Sequence, residues 1–324
     1  MLRWLSCLLV AVAVGTPIAN AAEPDRLRER PEQKALRFLA REVPRWAAAN
    51  KCYSCHNNGD AARALYTALR LGETIAPKAL ADTTAWLSHP EKWEHNGGEG
   101  PASDKVLARI QFAAALVDAL DAGQVKDRRA LARAAELVAR DQQKGGSWKI
   151  DAEGTVGSPA THGTALATYF ARRTLFRADS EKYKSTIAKA DGWFRDRKVQ
   201  NVLDAAAILL ALEAANDAPA IRQRRHCLEL IRRAQSKDGS WGPYINSPAE
   251  PFDTAVVLVA LSRLPKDGDP KGMAERGRAF LISIQQGNGS WRETTRPGGA
   301  ESYAQRISTT GWATLALLST AAKQ

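Results

Sequence analysis

The sequence predicts an all-α fold, a toroid of helical hairpins arranged as two concentric rings, and three observations lead there. Charged, amphipathic segments alternate along the chain with Ala-rich segments that carry almost no charge. The apolar segments begin at 60, 104, 163, 204, 253 and 311, a spacing that suits two helices and their loops. A Gln-x-x-x-Gly-Ser-Trp motif recurs at Gln142–Trp148, Gln235–Trp241 and Gln285–Trp291, each time closing an amphipathic helix. An amphipathic helix needs one solvated face, whereas a helix that is apolar all round needs shielding on nearly every side. Strict alternation therefore places the apolar helices inside and the charged ones outside.

Taken in order, the outer helices are expected at about 33–48, 77–88, 127–142, 181–196, 218–235 and 271–286. The inner helices open with Asp60 (DAARALYTALRLG), Asp104 (DKVLARIQFAAALVDAL), Gly163-Thr164-Ala165, Asp204-Ala205-Ala206, Asp253-Thr254-Ala255 and Gly311-Trp312-Ala313. Small residues in these segments permit close packing. An Asp at a helix start accepts N–H bonds from the first turn, so Asp60, Asp104, Asp204 and Asp253 are expected as N-caps. The Gln-Trp loops fall between neighbouring hairpins, where Trp buries its ring and finds a partner for its N–H, a stacking role without chemistry.

The segment Arg278-Ala279-Phe280-Leu281-Ile282-Ser283-Ile284-Gln285-Gln286-Gly287-Asn288-Gly289-Ser290-Trp291 resembles the Gln-Trp repeat of the squalene-hopene and oxidosqualene cyclases. The resemblance covers roughly residues 125 to 320 and implies an α6/α6 toroid of the squalene-cyclase and prenyltransferase superfamily. It also implies where an acid would sit, because class II cyclases protonate an isoprene with the middle acid of Asp-x-Asp-Asp, usually followed by Thr-Ala. The corresponding stretch here is Glu250-Pro251-Phe252-Asp253-Thr254-Ala255: the last Asp, the Thr and the Ala match, and Phe252 holds the place of the proton donor. Asp253 is thus only a weak catalytic candidate. The Asp-x-Cys zinc pair of protein prenyltransferases and the Cys-Gly-Glu-Gln run of thioester proteins are missing, and a single ring lacks the second domain of triterpene cyclases. What carries over is a lumen for an apolar or isoprenoid ligand, with His162, Asp253 and Trp312 at its mouth.

The first hairpin loop replaces the Gln-Trp motif with Lys51-Cys52-Tyr53-Ser54-Cys55-His56. Cys-x-x-Cys-His is the attachment signature of c-type haem, and similarity to c-type cytochromes assigns Cys52 and Cys55 as thioethers and His56 as the haem iron ligand. Met273, His89, His95, His162 and His226 are the candidates for the sixth position. A Cys52–Cys55 disulfide and a zinc site on the same three residues are the alternatives. The expected function is accordingly a haem-carrying electron-transfer or hydrophobic-ligand-binding module with a periplasmic redox partner. The alternative is an isoprenoid cyclase or transferase with a non-standard acid site.

Residues 1–21 read as a secretory signal peptide: Arg3, an apolar run from Trp4 that contains Cys7, and Ala19-Asn20-Ala21 as the cleavage site. The domain then runs from 22 to 324 and is expected to be periplasmic or secreted, with no transmembrane anchor. Cys52, Cys55 and Cys227 remain, an odd number that rules out a fully paired disulfide framework. The net charge of +11 is scattered on the polar faces of outer helices, as in KDRRALAR, which argues against nucleic-acid binding.

Overall fold

In a computed structural model, residues 29–96, 104–150, 155–264, 271–296 and 298–321 are described, apart from the side chain of Lys271. The segment 1–21 and Cys7 lie outside them. The outer helices are α1 (Pro31–Asn50), α3 (Ala81–Leu87), α5 (Arg128–Arg140), α7 (Lys184–Asp196), α9 (Ala218–Ala234) and α11 (Lys271–Ser283). The inner ones are α2 (Ala62–Arg70), α4 (Lys105–Asp121), α6 (Thr164–Asp179), α8 (Val202–Ala211), α10 (Pro251–Leu261) and α12 (Tyr303–Thr320). Each inner helix packs on the next, and α12 returns to α2, so the inner ring closes. The chain is therefore all-α among the described residues, an α6/α6 toroid. No described helix is long and apolar enough to cross a membrane.

Every residue of α8 is buried, as a helix with neighbours on all sides requires. Helix α9, by contrast, buries only Ala220, Cys227, Ile231 and Ala234, one stripe at helical spacing. Two starts differ from expectation. Helix α12 begins eight residues before Gly311, because Ser302 caps it through the Gln305 N–H and polar Gln305, Ser308 and Thr309 still turn inward. Of the four expected Asp caps only Asp104 acts as one, accepting from Leu107 N at 2.9 Å. Asn201 caps α8 in place of Asp204, whose carboxylate meets Arg197 at 3.1 Å. Asp60 and Asp253 have side-chain partners of a different kind, described below.

The Gln-Trp loops are built alike. Each Trp is fully buried and donates its indole N–H to the outer helix it follows: Trp148 to Val138 O (2.7 Å), Trp241 to Ile231 O (2.8 Å), Trp291 to Leu281 O (2.8 Å). Each Trp backbone N–H meets a Thr hydroxyl on the adjoining inner helix, Thr168, Thr254 or Thr310. Each Gln amide reaches the start of the next outer helix: Thr186 O, Met273 O and, for Gln285, Pro31 O at 2.9 Å. The last joint therefore returns to the first helix and closes the outer ring. Arg278 finishes the seam by bonding Glu32 at one end of the toroid and Leu317 O and Thr320 at the other.

The glycine before each Ser-Trp has no substitute. Gly289 sits at φ +93°, and a Cβ there would lie 2.3 Å from the Lys34 carbonyl oxygen. Gly289→Ala combines left-handed strain with overpacking and is expected to cost about 1–3 kcal/mol, read as a lowered Tm.

Candidate active site

A cavity of about 580 Å³ opens among the last turns of the six inner helices. Its lower wall is aromatic, with Phe170 and Trp312 centroids 5.8 Å apart, and Phe252 meets Trp312 edge-on at 5.9 Å. The Arg63 guanidinium lies 4.2 Å over Phe170 and 5.0 Å over Trp312, while its Nε donates to Asp118 at 2.9 Å. The mouth is basic. Arg173 and Arg177 are held by Asp118 and Asp121, and Arg172 by Asp191. Arg70 and Arg263, also on the lining, have no ion-pair partner among the described residues.

Directly under the aromatic floor lies a buried acid. The His162 ring stands 5.9 Å from both Phe170 and Trp312, and its Nε2 is 3.0 Å from Asp60 Oδ2. Gln111 Nε2 donates to the same oxygen at 3.0 Å. Asp60 arrives there on a π-helical turn, Cys55–Ala61, that Ser54 caps and that runs into α2. Gly59 lets this turn approach α4, since a Cβ would press on Gln111 Cβ at 3.2 Å. Both Asp60 and His162 are buried. Asp60 Oδ1, Arg63 Nη1, Gln111 Oε1, His162 Nδ1 and Trp312 Nε1 are all buried without a hydrogen-bond partner. So many unmet polar atoms in one place mark a site built for something other than packing.

Electrostatics separates Asp60 from Asp253. Burial pushes Asp60 up, but the charges of His162, Arg63 and His56 and the His162 hydrogen bond outweigh it and leave the carboxyl below its usual range. For Asp253, burial wins over its ion pair with Arg296 and pushes it up to about 7. Both oxygens of Asp253 are engaged by Arg296, at 2.9 and 3.1 Å. A carboxylate held at both oxygens is badly placed to hand a proton to a ligand, whereas Asp60 Oδ1 makes no hydrogen bond and stands 4.0 Å from Arg63 Nη1.

Of the expected mouth residues, Trp312 forms part of the cavity floor, His162 lies beneath it, and Asp253 stands apart near the inner-helix starts. Phe252, which replaces the acid in the motif, is instead a wall of the aromatic cluster. Sequence reasoning placed Asp60 as a cap because its partners His162 and Gln111 are far away in the chain. The one local signal was Asn57-Asn58-Gly59 before it, where the Gln-Trp motif is replaced.

The haem reading of Cys52, Cys55 and His56 is overturned. His56 Nδ1 is bonded to Ser308 Oγ on α12 at 3.0 Å, and the Asn57 and Asn58 amides donate to Glu42 O and Val43 O of α1. Burial pushes the Cys55 thiol up to about 12, far from the thiolate that the zinc alternative requires. The motif thus begins a packed joint between α1, α2 and α12. Among the described residues no three His, Cys, Asp or Glu side chains converge to hold an ion, and Cys52, Cys55 and Cys227 are free thiols. Of the residues considered for a sixth ligand, Met273 is buried under the Gln235 joint and His89 pairs with Glu91.

Fold and site together define an α/α toroid with the architecture of the terpene cyclases. Residues 203–324 match the family described as squalene-hopene cyclase C-terminal domain. Among known proteins the chain is similar to drimenyl diphosphate synthase of Streptomyces showdoensis, 26% identical over 231 residues, which is 68% of this chain and 42% of that one. The corresponding enzyme of Streptantibioticus cattleyicolor is 25% identical over 251 residues, 74% of this chain and 45% of its own. The chain therefore spans less than half the length of these relatives. Among solved structures it resembles the type II terpene cyclase MstE from Scytonema, with TM-score 0.56 and 16% identity over 89% of this chain and 96% of that one. A variant of MstE in complex with its substrate, geranylgeranyl dihydroxybenzoate, superposes equally well (TM-score 0.56, 14% identity, 89% and 97% covered). The superposition thus covers nearly the whole of that cyclase. These relatives are terpene cyclases, and nothing in them points to haem, iron, a cytochrome-like role or a redox partner.

Proposed function

We propose that this protein is an isoprenoid cyclase that starts its reaction by protonating a double bond. The observation that carries this reading is the buried Asp60–His162 pair directly beneath the aromatic floor of the cavity. In this reading Asp60 is protonated on Oδ1 and delivers its proton at the aromatic floor that it underlies. Its O–H bond breaks, the alkene π pair forms the new C–H bond, and the cation left on the substituted carbon is attacked by the next double bond to close a ring. Loss of a proton from the final cation restores neutrality, so the product is an isomer of the substrate. His162 and the Gln111 amide stabilise the carboxylate left behind, which makes Asp60 a stronger acid than an ordinary buried carboxyl. Phe170 and Trp312, which line the cavity, stabilise a cation through their ring faces.

The mouth favours a substrate with an anionic head. Arg70 lies near the end of α2, about 15 Å from Asp60 at 1.5 Å per residue. That span matches a farnesyl-length chain lying between the arginines and the acid. A diphosphate head agrees with the product of the curated relatives.

The test is incubation of the purified protein with farnesyl and geranylgeranyl diphosphate, followed by phosphatase treatment and mass spectrometry. A cyclic alcohol isomeric with farnesol or geranylgeraniol, resolved from it by chromatography, is expected from at least one of them. No cyclic product from either, nor from a neutral polyprenyl arene, removes the proposal. Arg70→Ala and Arg263→Ala are expected to raise KM about tenfold with kcat little changed, the mark of lost uniform binding.

A further inference from the structure

The His162 backbone is in the left-handed region, φ +59°, and Gly163 follows at φ +75°. A non-glycine residue keeps such a conformation only when its surroundings enforce it. Part of that enforcement is local: His162 N donates to Ser158 O at 2.7 Å, and Thr161 N to the same oxygen at 3.1 Å. Gly157 lies against the back of this turn, where a Cβ would come within 2.3 Å of the His162 carbonyl oxygen. The rest comes from across the ring. Arg296 Nη2 donates to Gly157 O at 3.2 Å while the same guanidinium grips both oxygens of Asp253 on α10. Glu250 adds a looser contact to Arg296 Nη1 at 3.6 Å and is itself held by Thr294 at 3.1 Å. An unbroken line of contacts therefore runs from Asp253 through Arg296 and Gly157 to His162, and from His162 Nε2 to Asp60.

We propose that Asp253 and Arg296 are positioning residues: they clamp the turn that carries His162 so that its imidazole meets Asp60 in the geometry proton delivery needs. The catalytic part of this statement rests on the cyclase reading above; the positioning part does not. Asp253 matches the last acid of the cyclase motif in sequence, yet acts here through a loop rather than on the substrate. The fork of Arg296 is essential, because one guanidinium must serve a carboxylate and a carbonyl together, which an ammonium at the end of a flexible stem does poorly.

The experiment pairs turnover with a measurement that needs no substrate. In the full chain carrying isotopically labelled histidine, the His162 ring-nitrogen resonances, assigned with His162→Gln, report its bond to Asp60 and move in Asp60→Asn. Asp253→Asn, which is isosteric, and Arg296→Lys, which keeps the charge, are expected to move the same resonances. They are also expected to lower kcat on farnesyl diphosphate roughly ten- to a hundredfold with KM within about twofold, since a small misplacement of a catalytic group has that effect. The double variant is expected to be no worse than the more damaging single one, because the two residues act as a unit. His162 resonances unchanged in both single variants overturn the proposal, as does a rise in KM at unchanged kcat. If the wild-type protein cyclises no prenyl substrate yet the resonances move, the clamp stands and the cyclase reading falls.

Discussion

Asp60→Asn is expected to lower turnover of a prenyl diphosphate by about 10³-fold or more while leaving the helical circular dichroism unchanged. The size follows from the role: a positioned general acid contributes on the order of 10²–10⁴-fold, and Asp118, which also lines the cavity, is engaged by Arg63 and Arg173. Asn keeps the shape and one acceptor for His162 and Gln111, so the protein should fold. Asp253→Asn alone should leave residual activity above that of Asp60→Asn, since it disturbs only the support of His162. If the two variants were equally inactive and equally destabilised, Asp60 would have to be regarded as part of a structural network. Binding separates the cases further: Asp60→Asn should still take up the substrate with near-normal affinity, because the head group is held at the other end of the cavity.

Trp291→Ala is expected to be the most damaging of the packing variants. A fully buried Trp replaced by Ala leaves a cavity costing about 3–5 kcal/mol, and here the loss also strands the Leu281 carbonyl. The position matters as much as the volume. Trp291 sits in the joint that connects α11 to α1, where Gln285 and Gly289 hold the last hairpin against the first. Urea denaturation should show a lower midpoint than for Trp148→Ala, whose loop joins hairpins that are also consecutive in the chain. Equal midpoints for the two variants would mean that closure adds nothing to the strength of a joint.

These two residues also mark what the sequence discloses and what it conceals. Trp291 was legible because a stacking joint must recur wherever a hairpin recurs, and repetition is visible in a linear string. The alternation of charged and apolar segments likewise gave the two rings, because burial on one side or on all sides leaves a compositional trace. Asp60 was illegible because its function depends on three partners from three other elements: His162 on the turn before α6, Gln111 on α4 and Arg63 on α2. Nothing in a local window separates an Asp that caps a helix from one that faces a lumen. The Cys52-x-x-Cys55-His56 run misled for the opposite reason. A short pattern with a known chemistry was present, but the fold spends His56 on Ser308 and uses the following asparagines to tie α1 down. The start of α12 was missed because its first two turns carry polar residues whose partners lie on distant elements, His56 for Ser308 and Glu42 for Tyr303.

Arg278 touches Glu32 with one nitrogen and Leu317 and Thr320 with the other, so the two ends of the toroid meet on a single side chain. During synthesis α1 can pack on α2 and α3 at once, but the rest of its apolar stripe must wait until nearly the whole chain has been made and α11 and α12 can flank it. The hairpins follow the chain around the circle, but the circle itself has no privileged starting point. Joining residue 320 to residue 31 by a short linker and opening the chain in another inter-hairpin loop should yield a permutant with the same ring, in which a different hairpin is the one that waits.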